Sequence, residues 1–455
     1  MGRIQIASPP APTSSATAQS RYRAVDMATA AVGIGLGAVI GTAINAESMT
    51  ALGAPGGVAT FLGRLAGLSG AYLMLVMVLL IARIPWVENV VGQERLVRWH
   101  RLLGQWPVYL IVAHATLITL GYAQQDRSGF LHQAWVLIDS YPDVLAAVVA
   151  LLLIVVAAAI SIRQVRRHTR YETWWTVHLY LYLALALAFS HQLANGASFV
   201  GHPLTRALWT TLWLATAGIV LAYRVVLPVV RSAHHGLRVV GVRQEAPGVC
   251  SIVCSGRDLE RLGVEGGQFF QWRFLARGLW WQAHPYSLSA LPQSGHIRIT
   301  IKALGDHSDA ISQIKPGTRV AVEGPYGRFT SQARSSDKVL LVAGGVGITP
   351  IRALLEDMDP SVDVVVLIRA SRPHDVLFRD EIRSLVGMRG GQLHELIGSR
   401  RKHPMGRREL AGLVPDMAER DVYVCGPESL SQVVVATARA LGAPEKGIHC
   451  EQFSF

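Results

Sequence analysis

Six long runs of uncharged, apolar residues constrain this chain more than any other feature. They occupy 27–46, 65–82, 102–125, 144–162, 173–205 and 207–223, and a helix needs about 20 apolar residues to cross the roughly 30 Å of hydrocarbon in a bilayer. Backbone in lipid must satisfy its own N–H and C=O groups, so each run is expected to be helical. Past about residue 231 the pattern changes to short alternating runs punctuated by Gly, Pro and Asp. The expected architecture is therefore multi-domain: a six-span α-helical membrane bundle over 25–232, an antiparallel β-barrel over 236–333, and an α/β parallel-sheet domain over 334–455. Residues 1–24, rich in Pro, Ala, Ser and Thr, read as a disordered tail. A cleaved leader is not expected, because the first apolar run begins late and is long enough to span.

Charge sets the expected orientation. Arg83, Arg95, Arg98 and Arg101 lie between the second and third runs, and Arg163, Arg166, Arg167 and Arg170 between the fourth and fifth. The opposite connections hold Arg127 and Arg206 beside Asp126, Asp139 and Asp143. The excess of positive charge on one side places both termini in the cytoplasm of a multi-pass membrane protein. The net charge of +12 thus follows membrane topology, and no nucleic-acid partner is expected. The four cysteines all lie in the soluble half and lack the paired spacing of a zinc or iron–sulfur site.

Four imidazoles stand in the third and fifth spans: His100 at the start of the third, just ahead of its uncharged run, and His114 within it, with His178 and His191 in the fifth. Ionisable groups at that depth are costly and commonly functional. Odd-numbered spans run in the same direction, so His100 lies at the depth of His178 and His114 at that of His191, and each pair can hold one haem iron from its two axial sides. Separations of fourteen and thirteen residues correspond to about 21 and 19.5 Å of helix, which stacks two sites across the membrane. On an ideal helix, however, His191 is about 140° away from the face of His178, so tilt, a kink or a π-bulge in the fifth span is expected.

This arrangement, H-x13-H on the third span and H-x12-H on the fifth, resembles the ferric reductase and NADPH oxidase superfamily. The resemblance implies two b haems, an inner one on His100 and His178 and an outer one on His114 and His191. Arg64 matches an Arg near the outer haem of the oxidases, although a snorkelling interface Arg explains it as well. Those oxidases also carry a further His where this chain has Ile118, which weakens an oxygen-reducing assignment.

In the barrel stretch, His284-Pro285-Tyr286-Ser287 supplies an aromatic to lie against an isoalloxazine and a hydroxyl for its polar atoms. Ile301-Lys302 with Gly305-Asp306, and Gly324-Pro325-Tyr326-Gly327, follow in an order that resembles the ferredoxin reductase flavin domain. FAD is the implied cofactor, with FMN the lesser possibility. After it comes Lys338-VLLVAGGVGITPIRALLEDM, an apolar strand, a glycine-rich turn and an amphipathic helix. Gly344, Gly345 and Gly347 are expected to let the backbone approach a pyrophosphate, with Thr349 and Pro350 in the first helical turn.

Cys425-Gly426-Pro427-Glu428 resembles the reductase motif whose Cys lies beside the nicotinamide; a buried structural Cys is the other reading. Ser399 and Arg400 fall where NADP-preferring reductases receive the 2′-phosphate, which leans the choice to NADPH over NADH, with an ordinary basic loop as the alternative. By the same resemblance Phe455, or Phe453, covers the flavin ring and Glu451 lines the site.

Nicotinamide delivers two electrons and a haem iron accepts one, so a flavin between them makes the parts complementary. The expected function is an oxidoreductase moving electrons from cytoplasmic NAD(P)H through FAD and two b haems to an acceptor outside, ferric chelates in first place. The rivals are superoxide formation from oxygen, delivery to a quinone or partner protein, and a haem-carrying sensor or assembly module. The acceptor pocket is expected in the loops 47–63, 123–143 and 192–206, with Glu47, Asp126, Asp139, Asp143, His132 and His202.

Overall fold

The computed structural model describes residues 14–166 and 171–452. The chain divides into two compact units, Met1–Arg224 and Val225–Phe455. Among the described residues six helices are long and apolar enough to cross a membrane: Val25–Asn45, Gly57–Leu80, Arg95–Gln125, Val144–Ser161, Thr173–Asn195 and Pro203–His235.

Several boundaries differ from those expected. The first helix begins at Ser14 and runs to Asn45, so 14–24 is not a disordered tail. Past Pro12 the sequence SSATAQSRYRAV has no Gly or Pro to interrupt a helix. The fifth span ends at Asn195 instead of 205, where Gly196 N–H closes on the Gln192 carbonyl and Pro203 opens the next helix. An unforeseen helix, Phe130–Ser140, occupies the loop expected between the third and fourth spans.

The third span is two helices, Gln93–Leu103 and Gln105–Gln125, with a turn at Gly104. Pro107 causes it, because proline has no N–H for the Leu103 carbonyl and its ring crowds that oxygen. The same chemistry explains the π-helical turn Ala222–Val226 ahead of Pro228. The first unit ends within this turn rather than at 232. The helix that follows, Leu227–His235, is fastened to the barrel: Ser232 Oγ donates to the Val322 carbonyl and accepts from Val322 N–H.

The second and third spans approach closely through glycines. A Cβ on Gly70 would lie 3.0 Å from Ile111, one on Gly63 3.0 Å from Ile118, and one on Gly67 2.5 Å from the His114 ring. Without a hydrophobic driving force between helices in lipid, such small residues let backbones pack by contact.

In the second unit six antiparallel strands order as β1-β2-β5-β4-β3-β6: β1 (Arg238–Ala246), β2 (Val249–Ser255), β3 (Phe269–Phe274), β4 (His284–Gln293), β5 (His296–Lys302) and β6 (Val320–Tyr326). Backbone bonds from Val239 to Thr318 and from Val320 to Leu237 close β1 onto β6, making the expected barrel. Alternation fills it: Phe270, Trp272 and Phe274 of β3 all point inward and are at most 1% exposed.

Five parallel strands follow, in the order β11-β10-β7-β8-β9: β7 (Lys338–Gly344), β8 (Asp363–Ala370), β9 (Gln392–Ile397), β10 (Asp421–Gly426) and β11 (Ile448–Gln452). Helices cover both faces, which is why β7 is apolar throughout instead of alternating. Val339, Leu341 and Ala343 join one core with the helix Ile348–Asp357, while Leu340 and Val342 join another with Leu410 and Val434.

Candidate functional site

In the first unit the four membrane histidines meet in two pairs. His100 and His178 have ring centroids 6.1 Å apart, and His114 and His191 6.4 Å apart. Two imidazoles sharing one metal, each bonded at about 2 Å, need ring centres roughly 6 Å apart. Their planes turn freely about that axis, so the interplanar angles of 75° and 43° are both admissible.

The third-span partners are also held for ligation. His100 Nδ1–H donates to the Met77 carbonyl at 3.1 Å and His114 Nδ1–H to the Gly63 carbonyl at 2.8 Å. With Nδ1 spent on backbone, Nε2 carries the lone pair, as in metal-bound histidines whose other ring N–H is held by a carbonyl. Among the described residues no cluster of three or more His, Cys, Asp or Glu stands ready for a bare metal ion. Paired imidazoles alone suit an ion that brings its own equatorial ligands.

The fifth span reaches both partners as an α-helix over Tyr171–Asn195, with no π-helical turn in it. The departure from ideal helix geometry lies in the third span instead, at Gly104 between His100 and His114. Beside the second pair, Arg64 Nη1 donates to Glu47 at 2.9 Å. Glu47 is therefore not a free carboxylate for an incoming chelate. Asp126 likewise accepts from Gln133, a nearly buried amide that also holds Ser128. Ile118 packs on Gly63 as an apolar side chain.

On the barrel, Tyr286 and Ser287 lie on β4, with His284 stacked near Tyr286 and on His307. Pro285 is exposed. Burial pushes the Tyr286 phenol up. Ser287 Oγ is buried and makes no hydrogen bond within the protein. An unpaired buried hydroxyl costs about 1–3 kcal/mol, so this atom fits a ligand acceptor or donor such as a flavin ring provides. Gly324 and Gly327 adopt φ of 149° and 102°, and a Cβ at Gly324 would strike Phe270. Tyr326 hydroxyl donates to Glu323 at 2.8 Å, which aims it away from a free role.

A cleft of about 520 Å³ opens at the carboxyl ends of β7, β8 and β10, the position where open parallel sheets bind nucleotides. Gly344, Gly345, Arg369, Arg400 and Pro427 line it, and the barrel contributes Val249 and Lys302. Lys302, read from sequence with the flavin, thus faces the nucleotide cleft, while Ile301 beside it turns into the barrel core.

The three glycines do different work. Gly345 takes φ of 57° with open space around it, whereas a Cβ on Gly347 would lie 2.3 Å from the Cys425 carbonyl and one on Gly344 2.5 Å from Leu430. Close packing constrains the last two. Thr349 hydroxyl donates to the Val346 carbonyl and Pro350 has no N–H; both are buried. Cys425 is 0% exposed within the hydrophobic core, and burial raises its thiol well above the ordinary range. It pairs in register with Glu451, as Gly426 does with Gln452. Phe453 and Phe455 lie outside the described residues.

Comparison with known proteins covers all three regions. The family described as ferric reductase like transmembrane component matches residues 66–189, an FAD-binding domain matches 255–330, and an oxidoreductase NAD-binding domain matches 341–436. Together these matches give the chain the ferric reductase and NADPH oxidase-type architecture.

This ferric reductase-type chain is 27% identical over 228 residues to an NADPH oxidoreductase of Mycobacterium tuberculosis, the match covering 48% of the chain and 59% of the relative. It is 32% identical over 166 residues to the NADH oxidoreductase HCR of Escherichia coli, covering 34% of the chain and 50% of the relative. The chain therefore spans between half and three fifths of these relatives. Among solved structures, the flavohaem-like FAD/NAD-binding domain of nitric oxide dioxygenase from Vibrio cholerae aligns with a TM-score of 0.42 at 24% identity, covering 48% of this chain and 99% of that one. The ferric reductase-type chain thus carries FAD-binding and oxidoreductase NAD-binding domains beside six helices long and apolar enough to cross a membrane.

Proposed function

We propose that this oxidoreductase carries electrons from cytoplasmic NADPH through FAD and two b haems to an acceptor on the far side of the membrane. The observation that carries the proposal is the pair of imidazole–imidazole separations, 6.1 and 6.4 Å, both linking the third span to the fifth. Bound there, haem supplies reversible one-electron chemistry at low-spin iron, and FAD joins it to the two-electron chemistry of nicotinamide. The protein's own part is to orient. Met77 and Gly63 carbonyls fix two ring tautomers, Ser287 addresses the flavin, and the glycine turn with Arg400 receives the nucleotide. Cys425 acts from the core as a positioning residue beside Glu451. The arginine-rich connections support cytoplasmic termini.

Ferric chelate is the acceptor this reading favours, because Ile118 offers no imidazole for oxygen. With Glu47 and Asp126 engaged, the exposed Asp139, His132 and His202 remain to attract it. Anaerobic addition of NADPH to the purified protein should reduce both haems, and an unchanged haem spectrum would refute the transmembrane path. In membranes, NADPH consumption should be faster with ferric chelate than with oxygen alone; superoxide release at an equal or greater rate would make the chain an oxidase.

A further inference from the structure

The segment Gly398–His403 leaves the end of β9 without a strand partner, yet it carries Arg400 into the nucleotide cleft. Its first residue is tied by Gly398 N–H to the Ala370 carbonyl at 3.0 Å, and Ser399 O accepts from the amides of Lys402 and His403, both at 3.1 Å. Beyond that one side chain gathers the carbonyls at both ends of the segment. Arg369, at the end of β8, donates from Nη2 to Gly398 O at 2.8 Å, from Nη1 to Leu396 O at 3.1 Å and Ala370 O at 2.5 Å, and from Nε to His403 O at 3.4 Å. A guanidinium presents about five N–H groups in a rigid fork, and here that fork gathers carbonyls from two strand ends and from both ends of the segment. A lysine has the charge but no planar fork with which to reach them. The far end is secured separately, by His403 Nδ1 to Glu409 at 2.7 Å and Met405 N–H to Glu409 at 2.8 Å.

We infer that Arg369 is a positioning residue for nucleotide selection: it clamps the 398–403 segment so that Arg400 meets the 2′-phosphate of NADPH, a contact NADH cannot make. The inference rests on the NADPH reading above. Arg369 and Arg400 line the same cleft and repel one another. A phosphate dianion relieves that repulsion, whereas an unphosphorylated ribose does not.

The test uses the full chain in nanodiscs, with 2′,5′-ADP and 5′-AMP as probes and KM and kcat for NADPH and NADH. Arg369→Gln and Arg369→Lys should each weaken 2′,5′-ADP binding about tenfold and raise the NADPH KM in step. Affinity for 5′-AMP and the NADH KM should change less than the values for 2′,5′-ADP and NADPH, so that selectivity for the 2′-phosphate falls; equal losses for both probes would overturn the clamp. Wild-type 2′,5′-ADP binding by Arg369→Lys would overturn the clamp and leave only a charge effect. Arg400→Ala separates the two levels of the argument. If it leaves 2′,5′-ADP binding intact, the 2′-phosphate reading fails and this inference with it; if it weakens binding while the Arg369 variants do not, the clamp alone fails. Should Arg369→Gln not fold, Gly398→Ala displaces the same segment from its φ of 142°. The same selective loss is then expected, and unaltered selectivity would overturn the proposal.

Discussion

His100, His114, His178 and His191 are isolated polar groups whose value depends on pairing across two helices. Each single His→Leu change should remove about half of the reducible haem absorbance, since one lost axial ligand empties one of two sites. Changing the exposed His132 or His202 should leave the spectrum intact; full haem retention in all four Leu variants would refute the ligand assignment. Ser287 invites a different experiment, because its hydroxyl makes no bond within the protein. Ser287→Ala should leave thermal stability unchanged yet weaken FAD binding by about 1 kcal/mol, roughly fivefold. A flavin titration indistinguishable from wild type would remove Ser287 from the site. All four histidines and Ser287 were visible in the sequence, since residue type and spacing announced them. Arg369 was not, because an arginine whose partners are backbone carbonyls has no side-chain motif to betray it.

Among the elements, the second span decides how well the third can present its histidine. A Cβ on Gly67 would lie 2.5 Å from His114 Nδ1. Gly67→Val should therefore displace the His114 ring and deplete the outer haem while sparing the pair at His100, which a redox titration resolves as one remaining component. Retention of both components would show that the spans yield without consequence. Hydropathy found every span here, but the break at Gly104, the early end at Asn195 and the helix Phe130–Ser140 depended on single Pro and Gly residues and on local capping. Such features are weak against a long apolar average.

At the scale of the whole molecule, the barrel and the parallel sheet of the second unit are joined by a charged network. Arg298 of β5 donates to Glu381 at 2.9 and 2.7 Å, Arg352 Nε donates to Glu381 at 2.8 Å and also pairs with Glu356, and Glu356 accepts from Leu291 N–H. Burial opposes ionisation of Glu381, but the hydrogen bonds and charges of Arg298 and Arg352 outweigh it and hold the carboxyl below its usual range. A carboxyl depressed on folding stabilises the native state above its unfolded value of about 4.3, and that stability is lost as pH falls toward the lower folded value. Glu381→Gln should lower stability at pH 7 by about 1 kcal/mol, since the partly exposed carboxylate is screened, and should flatten the acid limb of the pH–stability curve. Equal acid sensitivity in variant and wild type would contradict this. The sequence by itself determined that six helices are long and apolar enough to cross a membrane, that a barrel and a parallel sheet follow, and which imidazoles and glycine turns stand as candidates for chemistry, because hydropathy, alternation and motif order act along the chain. Only the tertiary structure decided that Glu47 belongs to Arg64, that Lys302 faces the nucleotide cleft, that Gly347 serves packing against Cys425, and that Arg369 holds the selecting segment. Those assignments depend on which distant backbone comes within 3 Å, and no local pattern encodes that distance.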